Sequence, residues 1–459
     1  MASLQAMLVN YRNNNIFYGP MLMKPKITKM ARKEILMGAK KEISVKPAAD
    51  RGSRYSKPHK ESLKAVLIEH PNELYPLLKL FIAMKKAELP MFAEPHWEFC
   101  YFMLHRLSSM SVLMIQQLDN IESRRATCLC YLILRALDTV EDDMSIPTDI
   151  KIPILKNFHR YIYDPNWHFS CGDHERKELM DNFHHLSTAF LELEQRQQEA
   201  IENVTMRMGA GMAKFYSKEV KTLDDYEEYC SCVGGLATLG WGKVIHASEP
   251  KFLFSDSVLI LLGLLVQKSD VIKDFLEDIN EIPKPSCHWP REIWRKYVNN
   301  LEDLKYEENS TKAIQCLNEM VTDALVHIND CLYYLSQMRD PTIFRFFAIL
   351  QIFAIGELAL CYNNIQLFRG ELTLRPGLVA QIFDRTRTMA DVYGAFYDFS
   401  TILRSKVDMN DPNAITTISR IEAVQKTCRD SGTLTKWKSY VVKKEPNYKR
   451  PLVTVSSFF

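Results

Sequence analysis

The chain has 459 residues, 47% hydrophobic and 25% charged, a composition that can bury a large core and reads as globular. Its 58 Lys and Arg against 56 Asp and Glu give a net charge of +2, so charge gives no support to a nucleic-acid partner. The 11 scattered cysteines contain no CxxC pair, and the start does not resemble a cleavable signal peptide, which predicts reduced thiols in an intracellular compartment.

The first segment, residues 1–62, is rich in basic side chains such as Lys24, Lys26, Lys29, Arg32, Lys40, Lys46, Arg51 and Lys60, with little apolar periodicity, and reads as a flexible basic arm. A mitochondrial transit peptide is the weaker reading, opposed by Glu34, Glu42, Asp50 and sparse Ser. Residues 63–405 show helical periodicity almost throughout and hardly any strand alternation, which predicts an all-α domain. Breaks fall at Glu94-Pro95, Ile146-Pro147, Asp164-Pro165, residues 170–173, Glu249-Pro250, residues 282–285, Asp340-Pro341 and Arg375-Pro376-Gly377, delimiting about ten helices. Thr222 and Asp225 have the spacing of a capping box that opens the helix carrying Tyr229. No apolar run reaches the about 18 to 20 residues needed to cross a bilayer. Val258 to Val266 is interrupted by Gly263, and Phe346 to Cys361 contains Gln351 and Glu357 and reads as buried helix. Residues 406–459 read as a last helix and a basic tail without a membrane anchor.

Two acidic segments stand out, Asp138-Thr139-Val140-Glu141-Asp142 and Asp274-Phe275-Leu276-Glu277-Asp278. In each, the first Asp precedes a Glu by three residues and an Asp by four, so on a helix all three carboxylates lie along one face. Like charges at this spacing are destabilising, and a divalent cation removes the repulsion. Mg²⁺ takes one or two protein carboxylates and fills its octahedron with water and phosphate oxygens, so two such rows predict a diphosphate substrate. Tyr131 and Arg135 share the face of Asp138 and Asp142, adding a guanidinium that can fork a diphosphate. Near the second row, Gln267, Asp270, Asp274 and Asp278 share a face, and Lys268 and Lys273 lie close enough in sequence to neutralise phosphate or to be ordinary solvated lysines.

Tyr229 opens a stretch with Gly234, Gly235, Gly240 and Gly242, which predicts close helix packing or a cavity wall. Cys230 and Cys232 lack neighbouring His or Cys ligands and read as core thiols. There is no Walker A loop, HExxH, GxSxG or GxGxxG opening a βαβ unit, so a nicotinamide cofactor would bind outside a Rossmann fold.

The run Tyr131 to Met144, Glu228-Tyr229-Cys230 with its glycine-rich continuation, Gln267-Lys268 leading to Asp278, Trp289-Pro290-x-Glu292-x-Trp294 and Cys361-Tyr362-Asn363-Asn364 together resemble the squalene synthase family. The resemblance extends from about Leu63 to the 430s. It implies the all-α isoprenoid synthase (class I terpenoid synthase) fold with a central cavity. It also implies Mg²⁺-dependent head-to-head joining of two farnesyl diphosphates, through presqualene diphosphate, with hydride capture from NADPH; Mn²⁺ is the substitute metal. Carried over by position, Asp138, Glu141, Asp142, Asp274, Glu277 and Asp278 would serve the metal. Tyr131 and Arg135 would contact diphosphate, and Tyr229 would accept the proton lost in cyclopropane closure. Ser108, Gln267, Lys268 and Lys273 complete the implied substrate contacts.

Several positions depart from the family. Ser108-Ser109-Met110-Ser111 stands where the family has Ser-Arg-Ser-Phe, Asp270 where it has Asn, and Lys273 where it has Arg. Trp241, Phe347, Phe353 and Glu357 occupy positions that the family fills with smaller or uncharged residues, and the C-terminal membrane helix common in eukaryotic members has no counterpart. The leading expectation is therefore a squalene synthase. A terpene synthase on the same scaffold, releasing an unreduced or cyclised product without NADPH, is the alternative, and a non-catalytic binding protein is disfavoured by the retained acidic rows. The expected setting is a monomer in the cytoplasm, with peripheral contact at the endoplasmic reticulum as its variant.

Overall fold

The structure, a computed structural model, describes residues 70–86, 94–248, 254–281, 285–370 and 372–440. The basic arm 1–62, the predicted break at Glu249-Pro250, most of the break at 282–285 and the basic tail lie outside them. The described elements are helical, with no strand among them. In chain order they are α1 (Leu74–Lys86), α2 (Pro95–Leu107), α3 (Ser109–Ile115), α4 (Ile121–Asp142), α5 (Thr148–Tyr161), α6 (His174–Asp181), α7 (Phe183–Leu191) and α8 (Gln195–Ser217). Then come α9 (Leu223–Cys230), a π-helical turn at Ser231–Gly235, α10 (Leu236–Ser248), α11 (Asp256–Lys273), α12 (Phe275–Asp278) and α13 (Arg291–Trp294). The last are α14 (Ser310–Ala324), α15 (Ile328–Ser336), α16 (Pro341–Cys361), α17 (Pro376–Arg385), α18 (Met389–Ser405) and α19 (Ala414–Asp430).

The helices outnumber the ten or so expected, because many ends carry no Pro or Gly. Ser108 separates α2 from α3 by taking an extended backbone and accepting a hydrogen bond from the Ser111 amide at 3.1 Å. The expected starts at Pro95, Pro341 and Pro376 are present, each with proline where its missing N–H costs nothing. The Thr222 and Asp225 capping box is also present, with the Asp225 amide donating to Thr222 Oγ1 at 3.1 Å and the Thr222 amide donating to Asp225 Oδ2 at 3.2 Å.

Six helices place the site. Within the core, α8 packs on α4, α5 and α10, and α10 packs on α4 and α11. Helix α16 packs on α11 from the other side. At 21 residues, α16 is long and apolar enough to cross a membrane, contrary to the expectation that no segment is. It is a core helix all the same, buried along most of its length. Gln351 answers half of the polar problem of that burial, its Nε2 donating to the Leu262 carbonyl at 2.7 Å while its Oε1 has no hydrogen-bond partner. All 11 cysteines are free thiols, most of them buried.

The glycines of the Tyr229 stretch serve close packing. A Cβ on Gly263 of α11 would lie 2.2 Å from the Gly234 carbonyl oxygen and 2.2 Å from Thr238 Oγ1, so the π-helical turn rides directly on the α11 backbone. We expect Gly263→Ala to lower unfolding free energy by about 1–3 kcal/mol, the cost of overpacking against rigid backbone. Chemical denaturation checks this, and an unchanged midpoint would contradict the packing account.

Candidate active site

Both acidic rows sit at the C-terminal ends of helices. Asp138, Glu141 and Asp142 occupy the last turn of α4, which contains no basic residue. Asp270 is in the last turn of α11, and Asp274 caps it. The helix macrodipole makes these ends negative already, so carboxylates there raise the local demand for positive charge. The second row departs from the expected single helix: the chain breaks at Asp274 and resumes as α12, while the Asp278 amide still donates to the Asp274 carbonyl at 3.0 Å. The face-sharing spacing therefore survives the break.

The two rows line one cavity of about 720 Å³, together with Arg176, Tyr229, Gln267 and Asp270. Carboxylate oxygens of Asp138, Glu141 and Asp142 lie within 4.8 Å of one another, a grouping that can hold a metal ion. Hard oxygen donors in a half-buried cleft fit Mg²⁺ or Mn²⁺ and disfavour soft-ligand metals. Burial, followed by the charges of Asp142 and Asp138, raises the Glu141 carboxyl well above its usual range. Burial and Asp138 likewise push Asp142 up to about 7, against the pull of Arg176 and Arg135. Asp278 is raised by burial and then by Asp274 and Asp142, so charges of both rows act on it.

Local cations partly answer this. Arg135 Nη1 meets Asp138 Oδ2 at 2.6 Å, and its guanidinium lies 5.8 Å from the Tyr131 ring centre. Arg176, from the first turn of α6, meets Asp142 Oδ2 at 2.5 Å. Fully buried Lys151 donates to the Glu141 carbonyl at 2.5 Å and so caps the end of α4. Neither Arg176 nor Lys151 was expected, because nothing local in sequence ties them to the acidic run. Asp143 has a different task from its neighbours. Its Oδ2 accepts from the Gly172 amide at 2.7 Å and its Oδ1 from the Ser145 amide at 3.0 Å, which ties down the loop leading to Arg176. Gly172 has φ +76°, and a Cβ there would lie 2.5 Å from Thr139 Cγ2.

Tyr229 is buried on the cavity wall with its ring stacked on His288, centroids 3.9 Å apart and planes 10° off parallel. Burial, then Glu141 and Asp278, holds its phenol well above the usual range. The Trp289 to Trp294 motif fixes this wall. Trp289 Nε1 donates to the Val271 carbonyl at 2.9 Å, and Glu292 Oε2 accepts from the Leu223 amide at 3.0 Å at the start of α9. Asn363, at φ +51°, turns the chain after α16, its amide donating to Asn318 Oδ1 at 2.8 Å.

The predicted residues divide. Asp138, Glu141, Asp142, Gln267, Asp274, Glu277, Asp278 and Tyr229 come together around the cavity. Tyr131 and Arg135 instead line an adjoining recess of about 30 Å³ with Trp241, and Asp138 borders both spaces. Lys268 is turned elsewhere: fully buried, it donates to Glu227 at 3.0 Å and Asp323 at 2.8 Å. Ser108 caps α3 and lies outside the cavity lining. Lys273 lies behind the lining, among carboxylates.

The family model described as squalene/phytoene synthase matches residues 104–376. A squalene synthase of Nicotiana benthamiana is 60% identical over 394 residues, covering 86% of this chain and 95% of the relative. Squalene synthase 1 of Panax ginseng is 60% identical with 86% and 94% covered. Among solved structures, TcSQS in complex with the ligand BPH1237 matches with a TM-score of 0.71 at 34% identity, over 73% of this chain and 99% of that one.

The raised Asp142 carboxyl has a stability consequence of definite sign. The native state keeps a proton that the unfolded chain releases, so stability falls as pH rises from about 4 through about 7. In chelator, the unfolding midpoint of the native chain is expected to fall more steeply over that window than that of Asp142→Asn, and Mg²⁺ with pyrophosphate should flatten the difference. Parallel pH profiles for the two proteins in chelator would contradict this assignment.

Proposed function

This chain belongs to the squalene/phytoene synthase family, and on that premise we propose that it joins two farnesyl diphosphates head to head, through presqualene diphosphate, to give squalene. The observation that carries the reading is the pair of carboxylate rows at helix C-termini facing one cavity. Asp138, Glu141 and Asp142 on one side and Asp274, Glu277 and Asp278 on the other would hold Mg²⁺. When bound, the metal supplies charge neutralisation that makes diphosphate a better leaving group.

The chain's own residues supply the rest. Arg176 adds positive charge beside Asp142 at the cavity rim. Arg135 orients Asp138 from the recess side. Phe215 and Trp289 give the cavity apolar wall that keeps water from an allylic cation. Tyr229, held face to face with His288, stands where a proton leaving the cyclopropane-forming carbon can be taken. We place NADPH as the hydride donor of the final step on the ground of family membership. An apolar product argues for a site of action beside a membrane, so we keep the expectation of a cytoplasmic monomer in peripheral contact with the endoplasmic reticulum.

One observation favours a second reading. Trp241 packs edge-on to Phe346 at 5.7 Å and leaves the recess only about 30 Å³, room for about one water. A terpene formed without NADPH would follow if that recess cannot open for the second prenyl chain. Purified protein incubated with farnesyl diphosphate and Mg²⁺, with and without NADPH, separates the two by hydrocarbon analysis: squalene that requires NADPH supports the first reading, and an NADPH-independent terpene supports the second. Asp138→Ala and Asp274→Ala are each expected to lower turnover about a hundredfold or more with the helical fold retained. Near-native turnover of either variant would remove the metal assignment.

A further inference from the structure

Asp270, Lys273 and Glu357 meet at one point. Lys273 Nζ lies 3.5 Å from Asp270 Oδ1, 3.5 Å from Asp274 Oδ1 and 3.7 Å from Glu357 Oε1. Each distance exceeds the about 2.7–2.9 Å of a committed charge-assisted hydrogen bond, so the ammonium is shared among three carboxylates rather than bound to one. Asp270 is 5% exposed, borders the cavity, and neither of its oxygens has a hydrogen-bond partner. Glu357 accepts from Ser269 Oγ at 3.3 Å and is otherwise similarly buried. Asp270 lies in the last turn of α11 and Glu357 just before that of α16, so both stand near the negative ends of helices, which add to the pull on a cation.

Resting on the reading of Asp274 as a metal ligand, we propose that Asp270 and Glu357 form a docking pair that draws the Lys273 ammonium off Asp274 when a divalent cation binds there. With no metal, Lys273 neutralises Asp274. A divalent ion on Asp274 repels the ammonium, which must find other acceptors inside a poorly screened wall. Asp270, already 3.5 Å from the ammonium through Oδ1 but without a committed hydrogen bond, and Glu357 offer them within a displacement of about 1 Å, which the flexible lysine stem and its three donors can follow without backbone movement. Asp270 and Glu357 are thus positioning residues: they tune the affinity of the second row by holding its competitor.

The test is a titration of Mn²⁺ into the full chain with inorganic pyrophosphate present, following free Mn²⁺ by its paramagnetic resonance. Asp274→Asn should remove one class of sites; if it does not, the metal reading of this row fails, and the docking proposal with it. Given that loss, Asp270→Asn combined with Glu357→Gln should weaken the same class about tenfold or more, as loss of groups that orient a ligand does. Adding Lys273→Met to that pair should restore the affinity, and Lys273→Met alone should tighten it. Weakening that persists in the triple variant, or no weakening in the double, overturns the docking role while leaving the metal reading intact. Should the double variant not fold, Asp270→Asn alone, with and without Lys273→Met, decides: weakening that Lys273→Met reverses supports the proposal, and no weakening, or weakening that Lys273→Met leaves in place, overturns it.

Discussion

Repulsion among carboxylates at the ends of helices is the constraint on which the rest of the site depends. Two rows of acids are placed where the backbone dipole is already negative, and the wall between them is partly closed to solvent. Left alone, such an arrangement protonates, which is the direction taken by Glu141, Asp142 and Asp278. A fold keeps this tension only where surrounding packing over-determines it. Here the packing is supplied by α8 and α10 against α4 and by α10 and α16 against α11.

Much of the motif resemblance proves to be this supporting frame. Asp143 ties the Gly172 turn, Trp289 clamps the end of α11, Glu292 caps α9, and Asn363 turns the chain out of α16. None of these side chains needs to touch substrate for the site to depend on it. Each fixes a helix that carries a carboxylate, a guanidinium or Tyr229. The Gly234 and Gly263 contact has the same effect from the other side, setting how near the Tyr229 wall lies to the second acidic row.

The all-α class, the Pro-marked helix starts, the capping box at Thr222 and the two acidic rows were legible because each depends on spacing along one segment. The helix count was not, since ends such as Ser108 and the break at Asp274 are decided by tertiary contacts and local capping rather than by Pro or Gly. Arg176 and Lys151 were missed for a related reason: they reach the first row from other helices, and their own surroundings in sequence carry no sign of it. Lys268 misled in the opposite sense. Its neighbours in sequence suggested phosphate, but helical rotation points it at Glu227 and Asp323 on the far side of α11. Asp270, Lys273 and Glu357 looked like three separate departures and form a single charge cluster, which only the packing of α11 on α16 could bring out.

The central claim is that both rows act together on one metal-held diphosphate. Anomalous diffraction from crystals grown with Mn²⁺ and an unreactive thio analogue of farnesyl diphosphate tests it most directly. The account predicts manganese between the analogue's phosphates and carboxylates of both rows, Asp138 or Asp142 on one side and Asp274 or Asp278 on the other. Manganese confined to one row, or a diphosphate bound away from both, would contradict it.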